Sequence, residues 1–207
     1  LSVIVISIGG IYAGVFTPIE AAGVGATLVL VLAIIGKKLN FATFRRVLLE
    51  TVVTSTMLYV IIIGAAIFSP FLAFTQIPQA LSDSLAALGL GALGTLLVIL
   101  LAYIVLGMFM DALSMLVITI PIVFPIILSL GYDPIWFGVI AVIVIEMGMI
   151  TPPVGINVFV VKGVAPDVPM REIFVGVLPF WFAMIIALGL MIAFPEISLA
   201  IPNSMFN

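Results

Sequence analysis

The sequence predicts an all-α membrane protein, and three observations carry that prediction. Of 207 residues, 65% are apolar and only 7% are charged, whereas a soluble domain carries about 25% charged residues. The mean hydropathy is +1.54. Apolar runs long enough to cross about 30 Å of hydrocarbon recur along the chain. A helix crosses lipid with its backbone groups already paired, so each such run is read as helical. Residues 1–207 are therefore read as a single membrane domain in a lipid bilayer.

The absences narrow the chemistry. There is no His and no Cys, which removes Cys/His metal sites, thiol nucleophiles, disulfides and His general bases. No Ser/His pair or paired intramembrane aspartates stand out, so the chain is not read as an enzyme. The six Lys and Arg residues form no stripe that could follow a phosphate backbone, so no nucleic acid is expected as a partner. The chain opens at Leu1 with no basic flank before its first apolar run, and is read as starting inside a longer protein.

The elements follow in order. Leu1 to Gly14 is apolar but short, and Gly9-Gly10 weakens it as a helix interior. Thr17 is placed to cap a helix beginning at Pro18, with Glu20 in the first turn against the positive end of the dipole. That membrane helix spans 18–36, and Gly23, Gly25 and Ala26 give it a small-residue packing face. Lys37-Lys38 and Arg45-Arg46 hold four of the six basic residues. Excess Lys and Arg in a short loop orients it to the cytoplasm, so an amphipathic arm over 41–50 is expected on that side. A second membrane helix, 51–74, leads outward to a connection over 75–91 that lacks basic residues.

Two apolar stretches within 92–130 are separated by Gly107-Met108-Phe109-Met110-Asp111-Ala112. Each is short for a crossing, and the break between them has no Lys or Arg, so a re-entrant hairpin with its tip at 107–114 is predicted. A helix over 135–161 is interrupted at 151–155 by Thr151-Pro152-Pro153-Val154-Gly155. Two successive prolines remove two donors, and Pro152 biases Thr151 away from helical torsions. Lys162 and Arg171 flank a further cytoplasmic loop, and a last membrane helix spans 173–194.

The two broken elements are the place to look for chemistry. Non-helical backbone survives at membrane depth only where it lines a protein cavity, and secondary transporters use discontinuous helices to hold ions and substrates. Asp111, a carboxylate at the tip, costs about 2.5–3.5 kcal/mol at membrane depth and by default marks an ion pathway. It is equally placed to cap the helix that starts at Ala112. Ser114 and Asn157 are supporting polar candidates, and Glu146, five residues before Thr151, is a secondary one.

Four motifs occur in order: Gly9-Gly-Ile-Tyr-Ala-Gly-Val-Phe-Thr-Pro-Ile-Glu-Ala-Ala22; Gly107-Met-Phe-Met-Asp111 with Pro121 and Pro125; Gly131-Tyr-Asp-Pro134; and Thr151-Pro-Pro-Val-Gly155. Together they resemble the C-terminal half of the large membrane subunit of TRAP transporters, the tripartite ATP-independent periplasmic family. The resemblance covers essentially the whole chain. It implies one half of an inverted-repeat secondary transporter, the second of two repeats, with a re-entrant hairpin and a discontinuous helix. It further implies that the Gly107–Ser114 tip and the Thr151–Gly155 break approach each other and hold sodium largely through backbone carbonyls. Gly107, Asp111, Ser114, Thr151, Pro152, Pro153, Gly155 and Asn157 are the expected ion- and substrate-binding residues, with sodium as coupling ion and no other cofactor.

The implied partners are a small membrane subunit, a periplasmic solute-binding protein, the N-terminal half of the same subunit and an organic-acid substrate. The implied location is the cytoplasmic (inner) membrane of a bacterium or archaeon, and the implied transport step is elevator-like. The competing readings are a stand-alone anion permease of related fold, and a structural membrane subunit with no solute path of its own.

Overall fold

The computed structural model describes residues 1–205, and among them the secondary structure is helical, with no strand. The helices are α1 (Ser2–Tyr12), α2 (Pro18–Ile35), α3 (Phe41–Thr75), α4 (Ile77–Ala87), α5 (Gly91–Gly107), α6 (Ala112–Ser129), α7 (Pro134–Met149), α8 (Ile156–Val164), α9 (Met170–Ala193) and α10 (Glu196–Met205). Of these, α2, α3, α6 and α9 are long and apolar enough to cross a membrane. The chain divides into two compact units, Leu1–Met57 with the stretch from Ile201 onward, and Leu58–Ala200. The division falls within α3.

In the first unit, α1 packs on α2. Gly9-Gly10 does not interrupt α1, contrary to the weakness expected there. The Phe16 ring lies where a β-carbon on Gly10 would sit, and a β-carbon on Gly25 of α2 would stand 3.0 Å from Ser7 Oγ. Close packing at Gly10 and Gly25 offsets their propensity cost of roughly 1 kcal/mol each, whereas Gly9 has no neighbour within 4 Å. The start of α2 is a capping box: Glu20 N–H donates to Thr17 Oγ1 at 3.3 Å, and Thr17 N–H donates to Glu20 Oε2 at 2.8 Å.

The arm expected over 41–50 and the membrane helix over 51–74 are one helix of 35 residues. Neither Gly nor Pro separates Glu50 from Thr51. Asn40 Oδ1 accepts from Thr43 N–H at 2.7 Å, and Arg46 pairs with Glu50 at 2.8 Å along one face. The change from charged patterning before Thr51 to mostly apolar patterning after it is a change of composition along one helix. It does not mark a break in its backbone.

The core lies in the second unit, where α5, α6 and α7 bury Leu96, Leu100, Tyr103, Met115, Ile127, Phe137, Ile140 and Val144. Tyr103 and Thr119, eight residues to either side of Asp111, hydrogen-bond at 2.8 Å, so α5 and α6 fold back on each other as a helical hairpin. The connection expected over 75–91 contains α4, which packs on α6. Pro78 is its second residue, where a missing N–H costs little. Trp136 Nε1 donates to the Met191 carbonyl at 2.8 Å and ties the start of α7 to the end of α9.

Candidate functional site where hairpin tip meets helix break

Each of the two interruptions is built by local chemistry. After α5, the N–H groups of Phe109 and Met110 both donate to the Leu106 carbonyl at 3.0 Å, closing a tight turn. Asp111 then caps α6, with Oδ1 accepting from Ser114 N–H at 3.0 Å. The helix therefore resumes at Ala112, and the non-helical part of the tip is 108–111. Of the residues expected in the tip, Ser114 lies inside the first turn of α6 and Gly107 ends α5.

The second interruption separates α7 from α8 over 150–155. Thr151 N–H donates to the Gly148 carbonyl at 2.9 Å, ending α7. Pro152 and Pro153 offer no donors. Gly155 turns the chain into α8 with φ +62°, and a β-carbon there would stand 3.1 Å from the Thr151 carbonyl oxygen. Both the torsion and the space favour glycine. No backbone N–H among the described residues reaches the carbonyl oxygens of Thr151, Pro152, Pro153 or Val154, nor those of Phe109 or Met110. Unpaired carbonyls of this kind are hard, neutral oxygen ligands.

One hydrogen bond joins the two interruptions: Gly155 N–H donates to the Met108 carbonyl at 3.3 Å. It is possible because α5 and α7 cross at two facing glycines. A β-carbon on Gly148 would lie 2.7 Å from the Ile104 carbonyl oxygen and 2.8 Å from Gly107 Cα. A β-carbon on Gly107 would lie 3.0 Å from Gly148 Cα. The backbones touch at this point, just before each of them breaks.

Side chains complete the junction. Thr151 Oγ1 donates to the Met147 carbonyl and accepts from Trp181 Nε1 of α9 at 3.0 Å. Asn157, in the first turn of α8, donates from Nδ2 to Glu146 Oε2 at 3.4 Å, a long bond that spans the break. Gly107, Asp111, Thr151, Pro152, Pro153, Gly155 and Asn157 thus lie on the two segments that this contact brings together, with Ser114 one turn into α6. Gly148, Trp181 and the Met108 carbonyl were not among the expected residues. A tryptophan in an apolar run needs a partner for its indole N–H, which is the one sequence signal that could have flagged Trp181, as it could Trp136.

Among the described residues no cluster of three or more Asp, Glu, His or Cys side chains gathers here. The oxygen atoms on offer are backbone carbonyls, the Thr151 hydroxyl and single carboxylates. Such a set suits a singly charged hard cation better than a transition metal. The N-termini of α6 and α8 both open at this junction and carry partial positive charge.

Long apolar helices, and non-helical backbone gathered where a hairpin meets a broken helix, define an all-α integral membrane protein of the transporter class. Comparison with known proteins gives the family. Residues 1–197 match the profile of the tripartite ATP-independent periplasmic transporter, DctM component, and the chain belongs to that family of multi-pass membrane proteins, which are permeases and not enzymes. It is 39% identical over 98% of its length to the C4-dicarboxylate TRAP transporter large permease protein DctM of Rhodobacter capsulatus, covering 46% of that protein. It is 36% identical over 96% of its length to the sialic acid TRAP transporter large permease protein SiaM of Vibrio cholerae, covering 47% of it. It is 29% identical over 98% of its length to the ectoine TRAP transporter large permease protein TeaC of Halomonas elongata, covering 48% of it. The chain spans about half the length of the curated relatives it matches.

Proposed function

We propose that this chain is the C-terminal, second-repeat half of a large TRAP permease that takes up an organic acid together with sodium. The observation that carries the reading is the Gly155–Met108 backbone hydrogen bond, which holds the two interruptions together while the carbonyls of Phe109, Met110 and Thr151 to Val154 stay unpaired. Sodium binds between tip and break, through those carbonyls with Asp111 and Thr151. The names of relatives that carry a C4-dicarboxylate and a sialic acid support a carboxylate as substrate.

Asp111 gives a physical reason for coupling. Its charge sits at the N-terminus of α6, the end of the dipole that would otherwise attract an anionic substrate. A bound cation offsets that charge and orders the tip, so the anion binds well only after sodium. The substrate then lies against the N-termini of α6 and α8. The hairpin and broken helix travel together in an elevator-like step, a reading supported by the Gly155–Met108 bond that joins tip to break.

The remaining half of the permease completes the site, a small membrane subunit braces it, and a periplasmic solute-binding protein delivers the substrate. The complex sits in a bacterial or archaeal inner membrane. The Lys37–Arg46 and Lys162–Arg171 segments face the cytoplasm, as their positive charge favours. Uptake into proteoliposomes holding the complete permease and its small partner tests the reading. Uptake that requires both a sodium gradient and the binding protein is the expected result. Sodium-driven uptake without the binding protein would instead indicate a stand-alone permease.

A further inference from the structure

Thr151 has a neighbour outside the two interruptions. Its hydroxyl accepts from Trp181 Nε1 at 3.0 Å and donates to the Met147 carbonyl one turn back. A hydroxyl has one proton and two lone pairs. With the proton on Met147 and one lone pair on the indole, a single lone pair remains. In that state the group can serve a cation and has no proton left for a carboxylate. The Met147 carbonyl can only accept and the indole N–H can only donate, so the two partners together fix the direction of this chain, and Trp181 holds the hydroxyl from its open side.

We infer that Trp181 is a positioning residue that presets the Thr151 hydroxyl as a cation ligand and so sets sodium affinity at the break. This rests on the sodium reading above and extends it to a residue of α9 that needs no contact with the ion. Trp181 is half-buried, 30 residues from Thr151 in sequence, and supplied by a helix packed against both α7 and α8. It therefore also links the position of α9 to the ligand geometry at the break.

The test is a sodium titration of uptake by the complete transporter, with wild type, Trp181→Phe, Thr151→Val and the double variant. Losing one neutral hydrogen bond is worth about a fivefold change, so Trp181→Phe should raise half-saturating sodium about fivefold. The same Trp181→Phe change made in Thr151→Val should add nothing. Trp181→His keeps a ring N–H and should titrate close to wild type. A Trp181→Phe curve superimposed on wild type overturns the inference, as does an equal fivefold rise in the Thr151→Val background. A fivefold rise in Trp181→His also overturns it, because it would assign the effect to ring volume, and this arm stands even where Trp181→Phe does not fold. Wild-type uptake that ignores sodium would sink the underlying reading, a result distinct from all three.

Discussion

At the scale of single residues, Asp111 and Thr151 do two jobs that substitutions can separate. Asp111 caps α6 through Ser114 N–H at 3.0 Å, and Asn caps as well as Asp does. Asp111→Asn should therefore leave the melting temperature in detergent unchanged while removing the charge that, in the proposed mechanism, makes substrate binding wait for sodium. Its uptake should depend less on sodium than that of wild type. Asp111→Ala should lose the cap as well, at about 1 kcal/mol, and melt lower. A normal sodium titration in Asp111→Asn would reduce Asp111 to a cap. Thr151→Ala deletes both hydroxyl bonds at the end of α7, and half-saturating sodium should rise more than about tenfold by the arithmetic of a bond to a charged group, about 1.5–3 kcal/mol.

Some of this residue-level detail was legible in the sequence. Thr17-Pro18-Ile19-Glu20 announces its capping box, and Asp133-Pro134 starts α7 with the Asp133 carboxylate accepting from the Ile135 and Trp136 N–H groups. Both motifs act over three residues, within reach of local pattern. The Trp181–Thr151 bond and the Glu146–Asn157 bond span 30 and 11 residues. No local propensity encodes them.

At the scale of elements, the crossing of α5 and α7 is the feature on which the junction depends. Gly148→Ala would drive a methyl group to 2.7 Å from the Ile104 carbonyl oxygen, and overpacking of this kind costs about 1–3 kcal/mol. The melting temperature should fall, and sodium-driven uptake should fall further than stability alone explains, because the Gly155–Met108 bond depends on this approach. Gly138→Ala in the same helix has nothing within 4 Å of the added methyl and is the matched control, expected to be neutral. Trp136→Phe removes the indole bond to Met191 and should cost about 1 kcal/mol in a melting experiment with sodium titration unchanged.

The element scale also shows where sequence patterns mislead. Interruptions are read at 107–114 and 151–155, close to the observed 108–111 and 150–155, because Gly, Asp and paired Pro dictate backbone directly. The continuity of α3 through Glu50-Thr51 was not visible, because a change in polarity resembles a boundary although nothing in the backbone stops there. Gly148 reads as one more small residue in an apolar run. Its role exists only once α5 lies against α7.

At the scale of the molecule, the chain offers long apolar helices, a buried core of α5, α6 and α7, and, among the described residues, a junction where unpaired carbonyls, a carboxylate, a buttressed hydroxyl and two helix N-termini meet. Composition determined the membrane class, because a chain with 7% charged residues cannot coat itself with water. What composition could not supply is the meeting of tip and break, which needs the hairpin to fold back and α7 to cross it. The central claim is that sodium binds at that meeting and orders the tip.

Phe109, exposed at the tip, gives the most direct measurement, since this chain carries no Cys of its own. Place Phe109→Cys in an otherwise cysteine-free complete permease, and follow its labelling by a maleimide with sodium or with potassium at equal ionic strength. Sodium bound at the junction should slow labelling severalfold, potassium should not, and Thr151→Ala should shift the protection to higher sodium. Labelling that proceeds at the same rate in both salts would contradict it.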